Sequence, residues 1–141
     1  MVEFVKLSYD ALCVGEQFMS NDMLIKPENV ETFAFAVDDQ HPWYFQDSPF
    51  GGTIVSPMLL GVQALRLRMS RYVAHGGLNA KAQFEFVKPF RVGMRVRSYG
   101  KLIDKYEKRG RHYMVTEFTT KDEESGAVLM RGQVTQMIVP D

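Results

Sequence analysis

The carboxyl-terminal half of the chain alternates between apolar and polar residues, and this alternation constrains the fold more than any other feature. Met94 and Val96, for example, alternate with Arg95 and Arg97. The alternation is found in the segments 80–88, 94–104, 111–120 and 127–139. A period of two is typical of β-strands with one buried and one exposed face. Because "KDEESG" forms a plausible hairpin turn between the last two segments, the sequence predicts an antiparallel sheet.

An apolar helical segment precedes these strands. Residues 58–74 have a helical pattern and are apolar nearly all round in the first half. Ser56 and Pro57 supply a cap and a first-turn proline, and His75 with the glycines 76–77 marks the predicted end. A helix that is apolar on all sides is one that other elements surround. We therefore predict an α+β fold in which the sheet wraps around a long central helix.

The amino-terminal part of the chain predicts a strand, a short helix and a loop. Residues 18–26 predict the strand, and residues 27–37 predict the helix because Pro27 suits a first helical position. The loop, 38–55, is rich in residues that interrupt regular structure: Pro42, Pro49, Gly51 and Gly52.

Length and charge exclude several classes of protein. The 141 residues fit one domain, 1–141, and a net charge of zero gives no reason to expect a nucleic-acid or membrane partner. Cys13 is the only cysteine, so no intrachain disulfide can form, and a reducing, cytoplasmic setting is expected. No secretory-signal pattern opens the sequence, and arginines interrupt its longest apolar run.

Three stretches of the chain resemble the MaoC-like family of acyl-thioester hydratases and dehydratases. "DQHP" at 39–42, with the aromatics after it, is similar to the family's Asp-x-Asn-Pro, an apolar residue and His. "FGGTIV" at 50–55 is similar to the family's Phe-Gly-Gly-x-Ile-Ala before the central helix. "FEFVKPFRVGMRV" and "DKYEKRGRHYMV" are similar to family strands in which a Pro and a Val-Gly mark the turn.

The resemblance implies a hotdog fold and a thioester substrate. A family member is a homodimer or a paired double hotdog with its site at the interface, and it needs no cofactor. A pantetheine arm from CoA or acyl carrier protein enters beside the central helix. An Asp and a His then handle a water molecule across the 2,3-bond of an enoyl thioester.

Residue by residue, the resemblance marks Asp39, His41 and Tyr44 as the candidate catalytic residues. Asp39 matches the family's catalytic aspartate, while Asp38 is expected to be structural. His41 stands where the family has Asn, and Tyr44 stands where it has the catalytic His. A phenol titrates near pH ~10, so Tyr44 is a poor base but a possible hydrogen-bond donor. His41 either replaces the missing base or merely caps the turn before Pro42.

The start of the predicted central helix supplies candidate substrate-binding groups. The family polarises the thioester carbonyl with backbone N–H groups here, commonly including a Gly, whereas this chain has Ser56 and Pro57. Proline has no N–H, so the remaining first-turn donors are Met58 and Leu59. Ser56 is a candidate to occupy one of them as a cap.

The loop before the helix adds further candidates for substrate binding. Trp43, together with Tyr44, follows a proline in irregular backbone and could form a wall of an acyl pocket. Gly51 and Gly52 are expected to allow a close backbone approach under the helix. Phe45 and Phe50 are expected to pack in the core. The basic residues Lys105, Lys108, Arg109 and Arg111 are either a solvated hairpin or a contact for CoA phosphates or an acidic carrier protein.

Several functions are compatible with these residues. The first is a hydratase or dehydratase that acts on an enoyl or 3-hydroxyacyl thioester of CoA or a carrier protein. A hotdog thioesterase or a specialised biosynthetic lyase would use the same pocket for another reaction. A non-catalytic, acyl-binding partner subunit of a paired dehydratase is the alternative from a different class. The sequence has no metal-ligand spacing, so no metal is expected.

Overall fold

A computed structural model describes residues 4–74 and 76–140. Two α-helices are present, α1 (Pro27–Val37) and α2 (Pro57–Leu65), with 3₁₀ helices at Pro42–Tyr44 and Leu67–Ser70. The strands are β1 (Val5–Lys6), β2 (Gln17–Met19), β3 (Met23–Leu24), β4 (Tyr72–Val73), β5 (Gly77–Phe86), β6 (Arg95–Lys108), β7 (Arg111–Asp122) and β8 (Val128–Ile138). No helix among these residues is both long and apolar enough to cross a membrane.

The main sheet is antiparallel and has the strand order β2-β6-β7-β8-β5, with β3 also pairing with β6. Its four long strands coincide with the four segments of period two, so that prediction is confirmed. The turn between β6 and β7 holds Arg109 and Gly110, both with positive φ, which is the geometry of a tight hairpin. A separate two-stranded sheet joins β1 and β4 in parallel.

One face of the main sheet buries α2, as predicted. Leu60 and Ala64 of the helix are buried, and so are Leu102 and Phe118 of the sheet. Gly100 makes room for this contact, since a Cβ there would lie 2.8 Å from both Leu67 Cδ2 and Phe18 Cε2. Antiparallel sheet and buried helix together form the α+β, hotdog-type architecture.

The central helix is shorter than predicted. The predicted segment 58–74 divides into α2, the 3₁₀ helix Leu67–Ser70 and β4, and His75 lies outside the described residues. Tertiary contacts explain the break. Glu16 accepts hydrogen bonds from the Arg71 side chain and the Tyr72 hydroxyl, both at 2.6 Å, and Tyr72 pairs with Val5. These contacts favour a turn at Arg71 and the short strand β4 over a longer helix.

The predicted strand 18–26 is also divided. It forms β2 and β3, and both pair with β6. Between them Ser20 leaves the strand and exchanges hydrogen bonds with Ser98: its N–H donates to the Ser98 carbonyl at 2.9 Å, and its hydroxyl accepts from the Ser98 N–H at 3.0 Å. Helix α1, in contrast, has the predicted bounds, with Val30 and Ala34 buried against the core.

Strand β5 leaves one edge of the sheet open. It pairs with β8 along one side, and no described strand pairs with its other side. Phe84 is half-buried, whereas the remaining residues of β5 are exposed, including Leu78 at 59%. An exposed strand of ten residues offers a row of unpaired backbone groups to another chain.

We predict that Gly132→Ala destabilises the protein strongly. A Cβ at Gly132 would overlap the carbonyl oxygen of Gln83 on β5 and lie 3.1 Å from Phe118 Cζ, so two strands must separate. Overpacking of this kind typically lowers the free energy of unfolding by about 1–3 kcal/mol. Gly76→Ala is the matched control because a Cβ there has no neighbour within 4 Å. Equal urea midpoints for the two variants would contradict the described approach of β5 to β8.

Candidate active site

The site begins where α1 ends. Asp38 adopts a left-handed conformation (φ 54°) that ends the helix, and the Asp39 N–H donates to the Ala34 carbonyl at 3.0 Å. A left-handed residue at a helix end is usually Gly or Asn, and Asp is among the few others that tolerate it. Asp38 therefore has the structural role expected from the sequence, and the turn exposes the neighbouring carboxylate of Asp39.

A 3₁₀ helix then brings Tyr44 back toward Asp39. The Trp43 N–H donates to His41 Nδ1 at 3.2 Å, and the Tyr44 N–H donates to the His41 carbonyl at 3.0 Å. The turn places the Tyr44 hydroxyl 3.0 Å from Asp39 Oδ2, to which it donates a hydrogen bond. His41 thus caps the turn before Pro42, which was one of its two expected roles. Its ring centroid lies 5.7 Å from that of Tyr44.

The surroundings of Tyr44 keep its proton in place. Burial, the hydrogen bond to Asp39 and the charge of Asp39 raise the pKa of Tyr44, while a hydrogen bond with Ser56 opposes this effect. A phenol whose pKa is raised above 10 stays protonated at neutral pH. Tyr44 is consequently a hydrogen-bond donor in this site, and Asp39 is the acceptor.

The start of α2 differs in two ways from the sequence-based expectation. Ser56 occupies the cap position and is buried, but its side chain makes no capping hydrogen bond, and it interacts with Tyr44. The Leu59 N–H donates to the Ser56 carbonyl at 3.0 Å, so Leu59 is not the free donor that was predicted. The Met58 N–H donates to none of the described residues. One of the two predicted donors is therefore open to a ligand.

Gly51 and Gly52 shape a tight turn before the helix. Both have positive φ, 82° and 92°, which explains glycine at these positions. The expected close approach under the helix is wrong, because a Cβ at Gly52 would meet nothing within 4 Å and one at Gly51 would meet only the Arg91 side chain at 3.7 Å. The Ser48 hydroxyl donates to the Gly52 carbonyl at 2.6 Å, and the Gly52 N–H donates to Asp47 Oδ1 at 2.7 Å.

Sequence reasoning missed Ser48, Asp47 and Arg91, which hold this turn in place. Arg91 Nη1 donates to the Phe50 carbonyl at 3.2 Å from a distant part of the chain. The two local residues could have been found, since Asp and Ser shortly before a Gly-Gly pair are typical turn-forming side chains. Nothing in the sequence signals the long-range contact.

The aromatic residues of the loop lie partly in solvent. Trp43 is half-buried and packs edge-on against Phe50, with ring centroids 5.6 Å apart. Phe45 and Phe50 are 47% and 46% exposed, so the prediction that they pack in the core is wrong. Apolar side chains remain exposed beside Asp39 and Tyr44, and they offer a surface for an apolar ligand or a second chain.

The larger clefts of the isolated chain lie away from this site. One of about 560 Å³ lies between the amino-terminal segment and the ends of β7 and β8, and another of about 480 Å³ lies on the outer face of the sheet. Neither is lined by Asp39, Tyr44 or Ser56. We locate the candidate active site by its chemistry, because the paired acid and phenol at a helix start are the groups that can move a proton.

Of the basic hairpin residues, Lys105 points inward to the fold. Its Nζ donates to the Tyr9 carbonyl at 2.9 Å and lies 4.7 Å from the centroid of the Tyr9 ring. Lys108, Arg109 and Arg111 are exposed, as a solvated hairpin requires. Within the described ranges, no group of three His, Cys, Asp or Glu side chains could hold a metal ion.

Fold and site together define a hotdog protein of the MaoC-like hydratase and dehydratase class. The chain belongs to the family described as FAS1-like, dehydratase domain region, whose model matches residues 12–131. The resemblance seen in the sequence is thereby confirmed. No curated protein sequence matches the chain.

Solved structures confirm the hotdog fold. The MaoC-like dehydratase from Rhodospirillum rubrum is 20% identical with a TM-score of 0.79, over 96% of this chain and 98% of that one. The R-hydratase PhaJ1 from Pseudomonas aeruginosa is 19% identical with a TM-score of 0.78, over 94% and 86%. The HadBC 3R-hydroxyacyl-ACP dehydratase complex from Mycobacterium tuberculosis is 20% identical with a TM-score of 0.77, over 94% and 99%.

We predict that Asp39→Asn lowers the pKa of Tyr44. The substitution removes the carboxylate whose charge and hydrogen bond raise that pKa. Titration of Tyr44 by NMR with labelled tyrosine rings would follow it directly. Asp47→Asn is the control, because Asp47 belongs to the same loop but binds the Gly52 N–H. An unchanged Tyr44 titration in Asp39→Asn would show that the two side chains are not paired in solution.

Proposed function

We propose that the protein is a hydratase or dehydratase that acts on an acyl thioester of CoA or acyl carrier protein. The observation that carries this proposal is the hydrogen bond from Tyr44 to Asp39, 3.0 Å long, formed beside Ser56 at the start of α2. Addition of water to an enoyl thioester needs a group that moves a proton and a backbone donor that polarises the carbonyl.

Each group has a defined role in this reaction. In the hydration direction, Asp39 accepts a proton from water, the hydroxyl adds to C3 of the enoyl thioester, and the proton returns to C2. Tyr44 binds one carboxylate oxygen of Asp39, so the other remains available to the water. The Met58 N–H and the positive end of α2 favour negative charge on the thioester oxygen.

A non-catalytic partner subunit is the second candidate function, and two observations favour it. First, Tyr44 stands where the family has its catalytic histidine. Second, Pro57 has no N–H and the Leu59 N–H is already bonded, so Met58 is the one open donor among residues 57–59. Loss of one oxyanion donor typically raises a barrier by about 3 kcal/mol. Co-purification with a second hotdog subunit that carries an intact Asp/His pair would support this reading.

We predict that Asp39→Asn lowers the rate of crotonyl-thioester hydration by at least about 100-fold, the usual contribution of a general acid-base group. Asp38→Asn is the matched control, since Asn tolerates the left-handed position and the neighbouring carboxylate stays. The assay follows the loss of enoyl absorbance, and a thiol reagent run in parallel would reveal a thioesterase. Equal hydration by the wild type and Asp39→Asn would remove Asp39 from the mechanism.

We propose further that a second copy of the chain covers the open edge of β5. Pairing would satisfy the unpaired backbone groups and bury exposed apolar residues such as Leu78 and Phe86. We expect light scattering at micromolar concentration to give at least twice the mass of one chain.

Ala80→Pro should convert the assembly to single, folded chains. Ala80 lies at a register shift where it has no partner in β8, so proline there disrupts the open edge with little effect on the β5-β8 ladder. A wild-type protein that scatters as one chain would contradict the dimer. A heavier species that contains a different subunit would point to a mixed pair.

A further inference from the structure

Arg68 carries a half-buried positive charge that is paired with none of the residues the structure describes. It lies in the 3₁₀ helix Leu67–Ser70, and burial lowers the pKa of its guanidinium. No described residue accepts a hydrogen bond from this side chain or forms an ion pair with it. Another half-buried arginine, Arg71, is paired, since its Nε lies 2.6 Å from Glu16 Oε1. The side-chain nitrogens of Arg68 are not fully buried, so an acceptor from outside the chain can reach them.

The position of Arg68 places that acceptor at the open edge of β5. Its Nη2 lies against Gly77, the first residue of β5, where an added Cβ would be 2.7 Å away. The candidate active site belongs to the other end of the strand. There Phe86 packs edge-on against Phe90, whose carbonyl accepts a hydrogen bond from the Val55 N–H at 2.9 Å, directly before Ser56. Twelve residues of helical chain separate Arg68 from Ser56, about 18 Å at 1.5 Å per residue, so the Arg68 side chain does not reach the site of its own chain.

A two-fold axis brings the two ends together. When two copies pair through identical edges, the strands run antiparallel and the Gly77 end of one lies across from the Phe86 end of the other. Arg68 of each copy then approaches the start of α2 in the other. The dimer proposed above therefore supplies each site with a guanidinium that the single chain lacks.

We infer that Arg68 of a second copy completes the candidate active site and binds an anionic oxygen group of the substrate, a carboxylate or a phosphate. A guanidinium holds such groups through two parallel hydrogen bonds. The groups that each chain brings to its own site are a carboxylate, a phenol and backbone N–H, none of which binds an anion as strongly. This inference rests on the proposed function, since it names the substrate class of the same site.

Three substrates distinguish an anionic group on the thiol from an anionic group on the acyl chain. The crotonyl thioester of N-acetylcysteamine is neutral, crotonyl-CoA carries phosphates on the thiol, and an enoyl thioester of N-acetylcysteamine with a terminal carboxylate carries the charge on the acyl group. We expect Arg68→Met to raise KM at least about tenfold for one of the charged substrates, the usual worth of a hydrogen bond to a charged group. The neutral substrate should be unaffected. Arg66→Met, at an exposed position two residues away, is the control.

Mixed dimers test whether Arg68 acts across the interface. With a charged substrate below KM, Asp39→Asn and Arg68→Met are each impaired, but a hybrid dimer has one site with both residues intact. Random mixing should restore about a quarter of the wild-type sites. Activity that stays at the mean of the two variants would overturn the inference. Equal losses of activity of Arg68→Met on neutral and charged substrates would also overturn it, because Arg68 would then support Asp39 or stabilise the fold without binding the anion.

If the wild type turns over no thioester, the proposed function is rejected but the anion site is not. Calorimetry then tests the anion site directly. Free CoA and the carboxylate-bearing thioester are titrated into the wild type and Arg68→Met. We expect the affinity for one of them to fall at least about tenfold in the variant. No difference for either ligand would overturn the anion site whatever the reaction is.

Discussion

The candidate active site depends on the anchoring of α2 to the sheet at both ends. At its carboxyl end, Gln136 Nε2 donates to the Leu65 carbonyl at 2.9 Å and to Asn79 Oδ1 at 2.8 Å, so one buried amide joins α2, β8 and β5. Before its amino end, the Val55 N–H donates to the Phe90 carbonyl. A helix of nine residues is too short to be stable alone, so these bonds and the buried Leu60 and Ala64 decide where it lies.

With the helix start fixed, two short local structures assemble the acid and the phenol. The left-handed Asp38 ends α1, and the 3₁₀ helix capped by His41 returns the chain, so that residues 39 and 44 meet. Both structures use backbone and neighbouring side chains alone. The contact between Asp39 and Tyr44 therefore needs no ligand to form. Ser56, the cap residue of α2, lies beside Tyr44 and opposes part of the rise in the pKa of Tyr44.

The sequence predicted the long strands well because apolar and polar residues alternate along them, and it predicted α1 because Pro27 and the residues after it are locally consistent. It failed where contacts between distant residues decide. The end of α2 depends on Glu16, fifty-five residues from Arg71, and a local pattern cannot show such a bond. In the site, Asp39 and Tyr44 were found through the family motif, whereas the capping role of His41 depends on 3₁₀ geometry that the motif does not encode.

The proposed second copy of the chain would account for three otherwise separate features of the single chain. Within residues 4–74 and 76–140, the edge of β5 has no partner strand, Arg68 has no acceptor, and aromatic side chains beside the site are exposed. An open strand edge and exposed aromatic side chains are each unfavourable in an isolated protein. In the proposed dimer, a second chain would form a wall over the site that one chain leaves open. Specificity for the acyl group would then reside in the interface, while the proton-transfer groups stay within one chain.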